Sequence, residues 1–190
     1  MISSGVVKKV KEIVENACKN DKANFFEYNV WENHILQVVQ YGKSLAQKMN
    51  ADEEVVEISA LLHDYASIID QKYRESHHLI GAQLAGKILN RFHYPKDKIR
   101  LVKHCILSHR ASQQIKRQTI EAEILASADA MAHIAKLPAL FYLVYGIQKM
   151  DTKNGLEYLR AKINRSAKRL LPEAREMIKD QIEAVRKVLV

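Results

Sequence analysis

Eight histidines punctuate a chain of 190 residues, at positions 34, 63, 77, 78, 93, 104, 109 and 133. Imidazole binds metals and carries protons near neutrality, so its placement beside carboxylates is the first pattern to weigh. His63 and Asp64 stand together at the end of the apolar run Ile58-Ser59-Ala60-Leu61-Leu62. Two ionisable groups closing such a run need something to offset their desolvation. Neighbouring helical residues project about 100° apart, yet at a helix end both side chains can converge on one ion. A hard carboxylate beside a borderline imidazole suits Mn, Fe, Zn, Co or Ni. Asp129 lies inside EILASADAMAHI, residues 123–134, a run of small residues that packs tightly. A cap or a hydrogen-bond hub is the other role for such a carboxylate. His34 opens a helix on the same stripe as Val38 and Leu45. His34, His63, Asp64 and Asp129, brought from three helices, would form a four-ligand cage.

The elements that must position these residues are helices. With 47% hydrophobic residues, 6 Gly and 3 Pro, the composition is that of a globular, turn-poor chain. Apolar spacing predicts helices over the N-terminal VVKKVKEIVENACK, over 31–49, from Asp52 through EISALLHDYA, over 77–92, from Pro95 to His109 and over 118–136. Asp52 is the expected N-cap of its helix. Phe25, Phe26, Tyr28 and Trp31 suggest a packed connection, and ASQQIKRQ a polar loop. A further apolar segment, LPALFYLVYGIQKM, precedes an expected break at Asn154-Gly155 and two closing helices, the last after Pro172. The expected fold is therefore an all-α, single-domain helical bundle. Residues 1–29 pack an N-terminal helix on the core, 30–136 form the metal-binding core, and 137–190 complete the same domain.

No apolar run approaches the roughly 20 residues that span a bilayer. The N-terminus lacks the apolar core of a signal peptide. Two cysteines, Cys18 and Cys105, make no disulfide framework, so the expectation is a cytoplasmic protein with free thiols. The net charge of +8 suits either a nucleic-acid surface or a field that draws phosphorylated small molecules. Between Lys96 and Arg117 seven basic residues meet one acid, around two histidines. From Lys149 onward eleven basic residues mix with six acids, the pattern of a solvated helix face.

His34, then LLHD at 61–64, then SADA at 127–130, resembles the HD-domain metal-dependent phosphohydrolase superfamily. The resemblance covers about residues 30 to 135. It implies that His34, His63, Asp64 and Asp129 hold one divalent metal, with Mg added to the ions named above. HHLIGAQLAGKIL and HCILSHRAS resemble the subset with a second metal, including dinucleoside-tetraphosphatase-like and HDIG-type members. That likeness implies His78 and His109 as further ligands and Asp64 as the bridge. Of the adjacent His77 and His78 only one ring can point inward, and the resemblance assigns it to His78. Two departures matter. The lysine that many members carry just after His-Asp is missing, the nearest being Lys72, so phosphate contacts must come from elsewhere. The Gly-Tyr-Pro signature for cyclic dinucleotides is also absent.

The resemblance implies hydrolysis of a phosphate ester or anhydride, in a nucleotide, by a metal-activated water. Asp64 is then catalytic, and His104 is a candidate acid for the leaving group or a structural residue. Lys103 and Arg110 are candidate phosphate-binding residues, or ordinary surface charges. His133, one turn after Asp129, is placed to hydrogen-bond a ligand or substrate. The alternative is a non-catalytic metal- or nucleotide-binding regulatory module. Nucleic-acid binding has the positive charge but no recognisable motif, and some di-iron relatives oxidise organic substrates.

Overall fold

Helix α7, Ile120–Ala135, organises the molecule because it is apolar or small nearly all round. The computed structural model describes residues 3–20, 30–110 and 115–189, all of them in helices, turns or connections with no strand among them. The aromatics Phe25, Phe26 and Tyr28 lie outside the described residues. Thr119 caps α7, its hydroxyl accepting from the Ala122 amide at 3.3 Å. One face of α7, with Ala122, Leu125, Ala128 and Ala132, packs into a first apolar cluster. That cluster is shared with α1 (Ser3–Asn20), α2 (Leu36–Lys48), α3 (Glu53–Leu62), α5 (His77–Arg91) and α6 (Lys96–Ser108). The opposite face, with Ile124, Met131 and Ile134, packs into a second cluster. That one is completed by α8 (Leu137–Phe141), α9 (Thr152–Lys168), α10 (Pro172–Met177) and α11 (Lys179–Val188). Its alanines let neighbours approach closely, the packing that EILASADAMAHI foreshadows.

The expected helix through His63-Asp64 is in fact interrupted there. Helix α3 starts at the Asp52 cap, whose carboxylate accepts from the Val55 amide at 3.1 Å, and stops at Leu62. Asp64 leaves helical geometry at φ −105°, ψ 3°, and the short α4, Tyr65–Ile69, restarts the chain. The break lets adjacent side chains converge. A second irregularity sits under His34. The turn Trp31–Ile35 is π-helical, with the Leu36 amide bonded to the Trp31 carbonyl, before α2 resumes normal winding. Wide turns of this kind recur at functional sites.

Other expectations shift by position. Pro95 precedes α6 as its cap rather than opening it. Asn154-Gly155 is not a break but the first turn of α9, capped by Asp151. Gly155 is there for space: a Cβ would lie 2.2 Å from the Tyr145 ring. The tail holds three helices rather than two, because the chain breaks at Ile178 between α10 and α11. Among the described residues, no single helix is long and apolar enough to cross a membrane.

Gly42 brings α2 against α3 and α7: a Cβ there would meet Val56 Cγ1 at 3.0 Å and Ala128 Cβ at 3.8 Å. Ala128 directly precedes Asp129. Gly42→Leu is expected to destabilise the fold by about 1–3 kcal/mol through overpacking. Urea unfolding should show a lowered midpoint at an unchanged slope.

Candidate metal centre

Five of the site's side chains come from helix ends. His63 caps α3 and His109 caps α6 at their C-termini, where the last carbonyls lack helical partners. The His63 Nδ1 donates to the Ala60 carbonyl at 2.8 Å, and the His109 Nδ1 to the Ile106 carbonyl at 2.6 Å. His77 opens α5 and donates from Nδ1 to the Arg74 carbonyl at 2.7 Å. A carbonyl can only accept, so each bond places the proton on Nδ1 and aims Nε2 inward. Asp64 stands at the α3–α4 break, and His34 lies in the π-helical turn just before α2. Asp129 comes from within α7 and His133 from its last turn, one turn further on.

These groups converge in two sets on either side of Asp64: His34 and His63 on one, joined through His34 to Asp129 and His133, and His77 and His109 on the other. The Asp64 Oδ2 lies 3.4 Å from both His34 Nε2 and His63 Nε2, which are 3.1 Å from each other. Asp129 Oδ1 closes this set, 3.5 Å from His34 Nε2 and 3.2 Å from His133 Nε2. On the other side, Asp64 Oδ1 lies 3.4 Å from His77 Nε2 and 3.9 Å from His109 Nε2, themselves 3.1 Å apart. A divalent ion with bonds of about 2.1 Å holds ligand atoms roughly 3.0 Å apart at right angles and roughly 3.4 Å apart at tetrahedral angles. The spacings match. Lone pairs of two carbonyl-anchored imidazoles facing each other at 3.1 Å repel unless a cation lies between them. The residues present therefore fit divalent metal.

The electrostatics agree. Burial opposes charge on His63, but Asp64 and Asp129 override it and push its pKa up to about 9. The field that attracts that proton attracts a metal cation equally. Burial, reinforced by His63 and His77, pulls His109 down to about 3 and keeps it neutral. Burial also works against ionising Asp64 and Asp129. Their surrounding cations and imidazoles nevertheless hold both carboxyls well below the usual range.

Several sequence expectations land elsewhere. His78 does not join the site; His77 does. His78 is one step round α5, buried, and its Nδ1 lacks a hydrogen-bond partner among the described residues. His104 accepts at Nε2 from the Gln118 amide at 2.9 Å and pins the segment after α6; it does not line the cavity. Lys103 lays its exposed stem over Gly86, away from the cavity. Arg110 does line it, donating to the Glu75 carboxylate at 2.6 Å and to the Glu75 carbonyl. His133 stacks on His34, ring centroids 4.8 Å apart, and accepts from Lys162 Nζ at 3.1 Å.

The cavity in front of both sets has a volume of about 600 Å³. Its wall includes Lys162, Arg165 and Arg169 of the α9 segment, residues the sequence reading placed on a solvated face. Their spacing of three and four puts them in one row, a signal hidden by other basic residues on the same helix. Leu140, Tyr142, Leu143, Ile147 and Tyr158 give the cavity an apolar end.

The HD domain family matches residues 31–134. Ribonuclease Y of Thermoanaerobacter pseudethanolicus is 30% identical over 99 residues, 52% of this chain but 18% of that protein. The chain thus matches under a fifth of the length of this curated relative. The crystal structure of Bacillus subtilis YpgQ superposes with a TM-score of 0.74 over 99% of this chain and 96% of that one, at 20% identity. YpgQ has also been solved in complex with ADP. A predicted HD superfamily hydrolase from an uncultured Thermotogales bacterium superposes with a TM-score of 0.58 at 20% identity, covering 83% of this chain and 84% of that one. The family segment takes in every histidine and carboxylate of the two sets, and the fold is shared over nearly the whole chain: the protein belongs to the HD domain family.

Proposed function

We propose that the protein is a divalent-metal-dependent phosphohydrolase that cleaves a phosphate ester or anhydride in a nucleotide. The observation that carries this reading is the division of Asp64, one oxygen toward His34 and His63 and the other toward His77 and His109. His34, His63, Asp64 and Asp129 would hold one ion, Asp64, His77 and His109 a second. Bound divalent ions would act as Lewis acids and lower the pKa of water at the phosphorus.

The chain's own residues supply the rest. Arg110 lines the cavity with its guanidinium held by Glu75, adding positive charge to the wall. Lys162 and Arg165 stand in for the lysine missing after His63-Asp64. The apolar end, with Tyr142 and Tyr158, gives a nucleobase a surface to rest on. The ADP complex of YpgQ, a protein of the same fold, supports a nucleotide ligand. A second substrate, an RNA phosphodiester, is favoured by the likeness to ribonuclease Y together with the net charge of +8.

The deciding experiment is turnover of a nucleotide panel and a short single-stranded RNA with Mn, Fe, Co, Ni, Zn or Mg. Nucleotide cleavage by one of these supports the reading. Preferential RNA cleavage favours the diester. ADP binding with no turnover of any substrate assigns the chain to the regulatory-module alternative.

Three outcomes are expected of the site itself. Asp64→Ala should lose metal from both sets, and turnover with it, while melting normally in chelator; full metal retention by elemental analysis would overturn the bridge. Lys162→Met should raise KM about tenfold to a hundredfold, the worth of a hydrogen bond to a charged group, with a smaller change in kcat. Metal uptake should also release protons. Ligand imidazole must be deprotonated, and His63, raised to about 9, holds its proton at pH 7 in the metal-free protein. Affinity should therefore climb with pH up to about 9. Calorimetry in buffers of different ionisation enthalpy reads the proton count; an uptake independent of buffer and pH would refute it.

A further inference from the structure

Arg169 touches both sets at once, from outside the family segment. Its backbone is pinned first. As the C-cap of α9 its carbonyl accepts from Ser127 Oγ at 3.3 Å, and the same hydroxyl accepts from the Leu171 amide at 2.9 Å. Ser127 is two residues before Asp129 on α7, so the base of the arginine is registered to the helix that carries the ligand. The guanidinium then divides. Nη1 lies 3.7 Å from Asp129 Oδ2, the oxygen turned away from His34 and His133. Nη2 donates to the main-chain carbonyl of His109, whose ring belongs to the other set. Arg169 is largely buried, and its Nε finds no acceptor among the described residues, so the side chain is committed to these two contacts.

We propose that Arg169 is a positioning residue that fixes the spacing of the two metal sets. Its Nη1 leaves Asp129 only Oδ1 for metal, and its Nη2 holds the end of α6 that carries His109. A planar fork can do both; a lysine's point charge can satisfy only one. This rests on the two-ion reading above.

The test titrates Mn(II) into the chelator-treated full chain by calorimetry, with electron paramagnetic resonance on the loaded protein and melting curves in chelator. Wild type, Arg169→Met and Arg169→Lys are compared. Wild type should take up two ions with the signal of a coupled Mn(II) pair. Arg169→Met should bind both ions roughly tenfold to a hundredfold more weakly, as loss of a ligand-orienting partner does. Arg169→Lys should recover the ion at Asp129 but not the pair, giving the signal of isolated Mn(II). Arg169→Met affinities within about twofold of wild type overturn the proposal, and so does full recovery of the coupled pair by lysine. If melting shows that the methionine variant is unfolded, the lysine variant decides by the same readouts. A wild type that takes up one ion refutes the two-ion reading instead. Arg169 is then judged on that ion: a tenfold loss in Arg169→Met sustains its hold on Asp129, and a change within twofold ends it.

Discussion

The ring nitrogens of His77 and His109, 3.1 Å apart and lone pair toward lone pair, are the constraint around which this molecule is built. Nothing in an apolar bundle brings such atoms together of its own accord. Each ring is therefore held from behind. His63 and His109 satisfy last-turn carbonyls of α3 and α6 that would otherwise lack partners. One bond thus caps the helix and sets the tautomer of the ligand. His77 does the same to the carbonyl of Arg74, in the turn that leads into α5. The backbone fixes what the side chains need, and a cation at the centre relieves the repulsion.

The opposite requirement falls on α7. It must carry the charged Asp129 through the middle of the protein, between two apolar clusters. Alanine on both faces lets the segments of α2 and α9 come close enough to add His34 and Arg169 to α7's own His133 around that carboxylate. A buried carboxylate this well paired stays ionised despite the loss of water. Bulkier α7 residues would push those partners out of reach.

The sequence made the ligand helices readable because helix periodicity and the cost of burying charge both act locally. His63-Asp64 after an apolar run, and Asp129 among alanines, are conflicts visible in a few residues. What stayed hidden depends on irregular backbone or long-range packing. The choice between His77 and His78 turns on how α5 begins, which is set by the turn Gln71–Tyr73 before it. The π-helical turn under His34 and the break at Asp64 are departures from the regular period that sequence reading assumes. The cationic row of α9 could not be told from solvated lysines and arginines, because its distinction is what it faces, a cavity made by α7 and α8.

That cavity shows why the chain continues past the family segment. Residues 31–134 contribute imidazoles and anionic carboxylates, a set that concentrates cations. The segment's own cavity cations are Arg74 and Arg110, and Arg110 is engaged with Glu75. The later helices supply the opposite sign: Lys136, Lys162 and Arg165 line the space in front of the cluster, beside Arg169, which is engaged with Asp129. A centre that held metal cations beside its carboxylates, walled by lysine and arginine, would have its charge left unbalanced in favour of an anion. An anion with several oxygens, large enough to reach both walls of a cavity of about 600 Å³, satisfies that imbalance better than a small one. The C-terminal helices therefore set a cationic wall opposite a cluster of imidazoles and carboxylates, the charge pattern on which the proposed phosphate substrate rests.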